Sequence, residues 1–499
     1  MRVSEVVTID EINKWKTGDI ITIKAPTGAG KSYFIKNILY AIAKKNKKRI
    51  LMLIHRKNCV NQFQEEITRD KKDDVIDIWT YQYLEHTYKT NKRFDFSDYH
   101  YIVCDEFHYF MSDAQFNIFT DISLNTILQQ KDCIKIMMSA TGDYMTRYIT
   151  NYKKLKTINY ELPFSYDFIR KLTFFQKDET LDDFIHEAIE TKQKAIFFIE
   201  SAEKAYRLYE KYKDHCLFNC GKSNKHYKYV DEAKIHNMLK NERFDNLILI
   251  TTTCMDSGVN INDEDLKHIV CDVKDVGTLI QCIGRKRLQH KKDKIYLYIK
   301  TINNKQLGGI ETQIKKKREM AQYLMNNSVK EYIEKYKRQL DYSQIVYDDI
   351  VDDSDKSTKK VNDLMYFKCL IDIIEIQKMK SYGDFGYCKY MAHLFGFYDE
   401  EKGYTYRLIE EEHEKESLEE YLDSIVGKVM LQAKDRKDLI EKINVKQNGK
   451  LLKSLNSLNA ALSEQNFNYY IKQFETSRII NGKKKKYKNA WKVLRLVDE

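Results

Sequence analysis

The sequence predicts an α/β protein with two tandem parallel-sheet domains, followed by a mainly helical C-terminal domain that ends in a basic hairpin. Short, continuously apolar runs alternate with helical patterns through roughly the first 300 residues. The rhythm restarts once, after Pro163, and gives way to long helical periods after about Asn304.

The first set of runs is IITIK (Ile20–Lys24), ILMLI (Ile50–Ile54), YIVC (Tyr101–Cys104) and IKIMM (Ile134–Met138). The second is KLTFF (Lys171–Phe175), AIFFI (Ala195–Ile199), LILIT (Leu247–Thr251), HIVCD (His268–Asp272) and IYLYI (Ile295–Ile299). Runs this short and this apolar suit strands covered on both faces, and intervening helices make the sheets parallel. The expected divisions are residues 1–165 and 166–303 for the two sheet domains, joined near Phe164–Arg170. A helical linker is expected over 304–360, with the acidic stretch Asp348–Lys360 as an exposed loop, and a helical C-terminal domain over 361–499. In that last domain Asn481-Gly482 between two runs signals a hairpin. Between Glu475 and Asp498 there is no acid, while Lys483, Lys484, Lys485 and Lys486 follow the turn. With the helical stretch Leu451–Leu462 before it, this segment suits a winged-helix module with a basic wing, or a basic hairpin that is only solvated surface.

Composition narrows the function. A chain of 499 residues with 32% charged and 42% apolar residues is an ordinary globular protein, too long for a single core. Its formal net charge of +11 favours a polyanionic partner. The 10 cysteines contain no C-x-x-C pair, and several lie inside apolar runs, as buried thiols of a reducing compartment do. Cys216 and Cys220 lie near His215 and His226, but no second ligand pair at zinc spacing follows. No stretch approaches the roughly 18 apolar residues of a membrane span, and the N-terminus lacks an apolar signal core, so a cytoplasmic protein with no membrane partner is expected.

The sharpest motif is APTGAGKS: Ala25, Pro26, Thr27, Gly28, Ala29, Gly30, Lys31 and Ser32. It follows the run IITIK and precedes a helical pattern, the strand–loop–helix context a phosphate loop requires. Gly28 and Gly30 let backbone N–H groups turn toward phosphates, and the helix N-terminus adds its dipole. Lys31 reaches the terminal phosphates of ATP, and the Ser32 hydroxyl ligates magnesium. Ala25 stands where the pattern usually has its first glycine. A second motif, DEFH (Asp105–His108), ends the run YIVC. A carboxylate at the C-terminal end of such a strand faces the crevice where ligands bind. Asp105 would hold magnesium through water, and Glu106 would activate the attacking water.

With these motifs the chain resembles the DEAD/DEAH-type superfamily-two helicases of bacterial or phage kind. Further motifs follow in that family's order: HRKNCVNQ (His55–Gln62), TYQ (Thr80–Gln82), SAT (Ser139–Thr141), IFFIES (Ile196–Ser201), TTTCMDSGVNI (Thr251–Ile261) and QCIGRKR (Gln281–Arg287). The resemblance covers roughly the first 300 residues and implies two RecA-like domains with ATP and magnesium between them. It implies that Arg56, Thr80 and Thr252 touch a nucleic-acid backbone. It implies that Ser139 and Thr141 couple hydrolysis to domain motion, that Gly258 and Gln281 line the cleft, and that Arg285 is the arginine finger. DNA is favoured over RNA on this resemblance.

Two positions depart from the family pattern. Its second arginine is absent at Leu288, and Arg287 sits one place earlier. If the helix continued, one residue would turn that side chain by about 100°. Asn260 stands where many members have aspartate. The expected function is an ATP-dependent nucleic-acid helicase or translocase. The alternative is an ATP-gated nucleic-acid-binding scaffold that does not unwind.

Overall fold

The computed structural model describes residues 1–496 except 56, 91, 116, 118, 256–258, 289, 291–292, 337–344, 351–356, 448–449 and 481–482. The chain forms two compact units, Met1–Tyr406 and Arg407–Glu499.

The first unit holds two parallel sheets. Strands β1 (Ile20–Lys24), β2 (Arg49–Ile54), β3 (Ile76–Thr80), β4 (Tyr99–Asp105), β5 (Ile134–Ser139) and β6 (Ile158–Glu161) lie in the order β3-β2-β4-β5-β1-β6. Alternation along each strand feeds two separate cores. Tyr101 and Val103 of β4 enter one cluster with Ile21, Ile23 and Phe34, while Ile102 and Cys104 enter the other with Leu51, Leu53 and Tyr81. A strand buried on both faces has no polar side to show, which is why the sequence runs are continuously apolar. The register sets Lys24 beside Ser139 and Asp105 beside Met138, so the loops carrying APTGAGKS, DEFH and SAT leave the sheet at one edge.

Strands β7 (Ile169–Phe175), β8 (Lys194–Ile199), β9 (Cys216–Asn219), β10 (Ile248–Thr251), β11 (Leu266–Asp272) and β12 (Ile295–Lys300) build the second sheet. Their order is β7-β12-β11-β8-β10-β9, again parallel. Both sheets with their covering helices are RecA-like lobes. Every strand run quoted from the sequence lies in one of these strands, allowing a residue or two at the ends.

The segment after the second sheet differs from the expected helical linker. Helices Asn304–Asn326 and Val329–Tyr336 are followed by an antiparallel pair, β13 (Val346–Ile350) and β14 (Ser357–Val361), with the middle of the acidic stretch outside the described residues. Ile345 and Val346 are buried in the first lobe's core, and the Tyr347 hydroxyl donates to Asp121. The acidic residues masked this in the sequence, because the apolar anchors lie beside them and not among them. Helix Asp363–Ser381 also belongs to the first unit, although the sequence grouped it with the C-terminal domain. Leu364, Met365, Phe367, Cys369 and Ile371 join the first lobe's core. Its N-terminal Asp363 pairs with Lys153 of the first lobe (3.3 Å), and its Lys368 lies 3.6 Å from Asp275 of the second. One helix thus bridges both lobes.

The second unit is small. Helices Ile409–Ile425, Lys437–Ile443 and Leu455–Glu464 pack on an antiparallel sheet in which strand Lys483–Arg495 lies between Val429–Met430 and Tyr469–Ile480. Leu422, Leu439, Leu458, Ile471, Trp491 and Val493 form its core. Trp491 packs inward, with the Arg436 guanidinium 4.5 Å from its ring centroid.

Candidate active site between the lobes

The phosphate loop leaves β1 and turns back into a helical segment beginning at Lys31. Gly28 and Gly30 both sit in the left-handed region, at φ 86° and 83°, where a side chain would be strained. The loop is braced from two sides: Ala25 N–H donates to the Ser139 carbonyl, and Val3 N–H donates to the Ala29 carbonyl. Pro26 closes the loop by accepting from Ala29 N–H.

Lys31 Nζ donates to the Ala25 carbonyl (3.2 Å) and lies 3.4 Å from Glu106 Oε1. Glu106 itself has a left-handed backbone, φ 50°, which turns its carboxylate from the end of β4 toward the loop. Burial pushes the Asp105 carboxyl up to about 6, and repulsion from Glu106 adds to the effect. Burial acts on Glu106 too, but the Lys31 ammonium, His108 and Arg285 outweigh it and hold that carboxyl well below the usual range. The two acids share one lysine, so the negative charge settles on Glu106.

His108 connects this site to the second lobe, a link the sequence reading gave no role. Its Nδ1 is 2.7 Å from Ser139 Oγ and 3.3 Å from Glu106 Oε2, and its Nε2 is 2.6 Å from Gln281 Nε2. An amide NH₂ can only donate, so Nε2 accepts and Nδ1 carries the proton. Ser139 Oγ in turn lies 3.4 Å from Glu106 Oε2, and Thr141 Oγ1 accepts from Gln281 at 3.2 Å. A hydrogen-bonded chain therefore runs from Gln281 of one lobe through His108 and Ser139 to Glu106 of the other. The signal in the sequence was DEFH itself, with a histidine two places past the second acid.

The arginine motif corrects the expected helical direction. The helix Val276–Ile283 ends before it, and Ile261 N–H donates to the Arg285 carbonyl while Arg287 N–H donates to the Ile261 carbonyl. Residues 285–287 are therefore extended against Ile261, and alternate side chains share a side. Lys286 points the other way into a buried pair with Asp293 (2.7 Å). Arg287 turns toward the phosphate loop: a Cβ placed on Gly28 would lie 3.6 Å from Arg287 Nη1. Arg287 Nε donates to Asn260 Oδ1 at 2.8 Å, and Asn260 donates to Glu242 at 3.0 Å. Asn260 thus braces the displaced arginine. Burial first, and then the neighbouring Arg285, push the Arg287 guanidinium down to about 10. Arg285 is 5% exposed and donates to the carbonyls of Gln281 (3.0 Å) and Val259 (3.3 Å). Gly284 packs on the loop as well, since a Cβ there would meet Thr27 Oγ1 at 3.2 Å. Leu288 is 44% exposed.

The expected nucleic-acid contacts are placed as follows. Thr80 caps helix Tyr81–Lys89 by accepting from Tyr83 N–H. Thr252 is buried, and its hydroxyl accepts from Cys254 N–H. Lys483–Lys486 are exposed on the second unit's hairpin. Arg56 and Gly258 lie outside the described residues. Among the described residues, no group of three or more His, Cys, Asp or Glu is arranged to hold a metal ion, the Cys216 and Cys220 region included. No described helix is long and apolar enough to cross a membrane.

Residues 4–76, which include the whole phosphate loop, match the family described as type III restriction enzyme, res subunit. That match places the phosphate-loop segment, and not the chain as a whole, with this family. Of the other motifs, SAT and QCIGRKR meet at the same site, through Ser139, Thr141 and Gln281. No curated protein sequence matches this chain. Solved structures similar to it include S. cerevisiae Dbp5 bound to RNA and ADP BeF3, at 17% identity, covering 59% of this chain and 82% of that one, with a TM-score of 0.45. The Escherichia coli DEAH/RHA helicase HrpB is 12% identical, covering 60% of this chain and 42% of that one, TM-score 0.42. Mycobacterium smegmatis helicase Lhr bound to ssDNA and AMP-PNP is 14% identical, covering 61% and 46%, TM-score 0.42.

Proposed function

We propose that the chain is a nucleic-acid-dependent ATPase that hydrolyses ATP between its two lobes to translocate along, or unwind, nucleic acid, with DNA the favoured polymer. The observation that carries the reading is the chain Gln281–His108–Ser139–Glu106, which joins the second lobe to the acid beside Lys31. A group that reads domain closure and reports to the hydrolytic acid is what a motor needs and a static nucleotide site does not.

In this reading Lys31 and the backbone N–H groups of the loop from Thr27 to Ser32 hold the phosphates. Glu106 takes the proton from the attacking water. Lys31 now compensates Glu106 at 3.4 Å. Once Lys31 turns to a phosphate, Glu106 loses its nearest cation and its proton affinity rises. The base is therefore strengthened when substrate is present. Ser139 and Thr141 transmit closure through His108 and Gln281. Arg285 adds positive charge near Glu106, and Arg287 approaches the loop at Gly28. Thr80 and Thr252, with Arg56 and Gly258, carry the family's backbone and cleft roles. The second unit's three helices and three-stranded antiparallel sheet, with a short strand pair, Lys446–Gln447 and Lys450–Leu451, between its second and third helices, support a winged-helix assignment with Lys483–Lys486 on its wing.

Asp105 and Ser32 would hold magnesium: both offer hard oxygen donors, and burial, with Glu106 beside it, raises the Asp105 carboxyl to about 6, a cost that a divalent cation would relieve. When bound, it supplies charge neutralisation to the phosphates. Its affinity should carry the Asp105 proton. The raised carboxyl is protonated below about pH 6, so cation binding should weaken by up to about tenfold per pH unit below that point and level off above it. The metal-free chain should show the opposite trend in stability. A carboxyl raised in the folded state favours folding while protonated, and that contribution fades as pH rises from about 4 through about 6. Manganese binding followed by magnetic resonance checks the first expectation. An affinity flat down to about pH 5 would remove Asp105 from the metal site.

Polymer should raise ATP turnover, because a polymer bound across both lobes would hold them in the closed arrangement in which the chain through Gln281 is made. A turnover unchanged by saturating DNA and by saturating RNA would exclude the motor and favour an ATP-gated scaffold.

A further inference from the structure

The hairpin that ends the second unit extends past anything its own core requires. The core takes Tyr469 and Ile471 from one strand and Trp491 and Val493 from the other, and no residue between Ile471 and Trp491 belongs to it. From Thr476 to Ile479 and from Lys483 to Lys486 the arms are paired to each other, and all but the half-buried Thr476 are exposed. A two-stranded ribbon without a core face is marginal in water, so its length points to a role outside folding.

The charges on it are arranged on two faces. Arg478 pairs with Lys485, and Ser477 with Lys486, so alternation puts Arg478, Lys485 and Lys483 on one face and Lys486 and Lys484 on the other. Lys485 sits with Tyr487 on its face, Nζ 5.5 Å from the ring centroid. No carboxylate occurs in either arm from Thr476 to Lys486. Arg478 directly opposite Lys485 is a like-charge pair, unfavourable until an anion lies between or beside them. At the outer end Ile479 is 76% exposed.

We propose that this hairpin enters the wide groove of duplex DNA and meets the phosphates of both groove walls, one with each face. The proposal deepens the nucleic-acid reading above and rests on it. A single strand has one backbone and can satisfy one face; a groove has a backbone on each side. The major groove of B-DNA is about 12 Å wide and about 8.5 Å deep and admits a two-stranded ribbon, whereas the deep, narrow groove of A-form RNA does not. Four residues of extended arm reach about 13 Å, enough to span that depth. The preceding helix Leu455–Glu464 exposes Asn456, Ala460, Ser463 and Glu464 and contains no lysine or arginine, so that helix brings no positive charge to the phosphates.

Binding of the full chain to a duplex DNA, to one of its strands, and to a duplex RNA of the same sequence tests this by fluorescence anisotropy across a salt series. K483Q/K485Q removes two of the three charges of one face, leaving Arg478, and K484Q/K486Q removes the two of the other, all at exposed positions outside the core. Each pair of substitutions should weaken duplex-DNA binding by roughly tenfold or more at about 0.1 M salt and flatten the log K against log salt slope by about 1.8. Single-strand binding should change by less than about twofold. A loss confined to one of the two pairs, an equal loss on the single strand, duplex RNA held as tightly as duplex DNA, or an unchanged duplex affinity would each overturn the proposal. If the unaltered chain shows an ATPase indifferent to every polymer yet binds duplex DNA as expected, the motor reading alone has failed.

Discussion

Glu106→Gln is expected to lower polymer-stimulated ATP turnover by about a thousandfold, within the range that removal of a positioned general base gives. Nucleotide affinity should change by only a few-fold, because the loop amides and Lys31 carry ground-state binding. The substitution keeps the shape of the side chain, so the amide can still meet His108 Nδ1 and Ser139 Oγ, which lie 3.3 and 3.4 Å from Glu106 Oε2. It removes the charge that Lys31 compensates at 3.4 Å. Lys31 should therefore be freer to meet phosphate, and ATP affinity should move toward tighter binding. That direction distinguishes loss of a base from general damage to the site, which would loosen nucleotide. Single-turnover hydrolysis together with fluorescent-nucleotide titration measures both quantities. Wild-type turnover in Glu106→Gln would mean another group takes the proton.

Much of the site was legible because its parts are local. A phosphate loop is one turn between a strand and a helix, so APTGAGKS states its own geometry. Asp105 and Glu106 follow a fully apolar strand, and the end of such a strand opens on the crevice. The links that cross the fold were harder to read. His108 reaches Gln281 over a separation of 173 residues, and nothing in the spacing of either marks the contact. Helix Asp363–Ser381 looked like part of the C-terminal domain because it is helical and follows an acidic stretch. Its apolar residues occur nearly all round, which suits a helix covered on several sides, and the cover is the first lobe's core. The direction of Arg287 is not legible in the sequence for a different reason. Gly284 follows the end of the helix at Ile283, and the pairing with Ile261 that makes 285–287 extended is a long-range contact. A glycine before two basic residues was the available signal.

That extended segment makes the two arginines separable by experiment. Arg287→Ala is expected to lower polymer-stimulated turnover by on the order of a thousandfold, the effect typical of an arginine finger. The side chain stands over Gly28, uncompensated enough for its guanidinium to be pushed down to about 10, and a phosphate anion would relieve that cost. Its loss should leave folding nearly unchanged, because its partner Asn260 keeps the Glu242 contact. Arg285→Ala should also lower turnover, through the charge it lends near Glu106, but it should destabilise the second lobe as well. Removing it strands the carbonyls of Gln281 and Val259, at about 1–3 kcal/mol for each buried group left unpaired. Thermal unfolding beside steady-state kinetics therefore separates the two: activity lost at constant stability for Arg287, activity and stability lost together for Arg285. The double variant decides whether they act as one unit. If it is no slower than the worse single variant, both arginines serve a single closed-state contact; if the losses multiply, each stabilises the transition state independently. Full turnover in Arg287→Ala would return the finger to Arg285 alone and leave Arg287 as a brace between Asn260 and the loop. Asn260→Asp adds a further check on the same geometry. A carboxylate there would hold the Arg287 guanidinium more strongly than the amide does, keeping it charged while drawing it away from the loop. Turnover should then fall less than in Arg287→Ala, and the loss should appear mainly in the chemical step and not in nucleotide affinity.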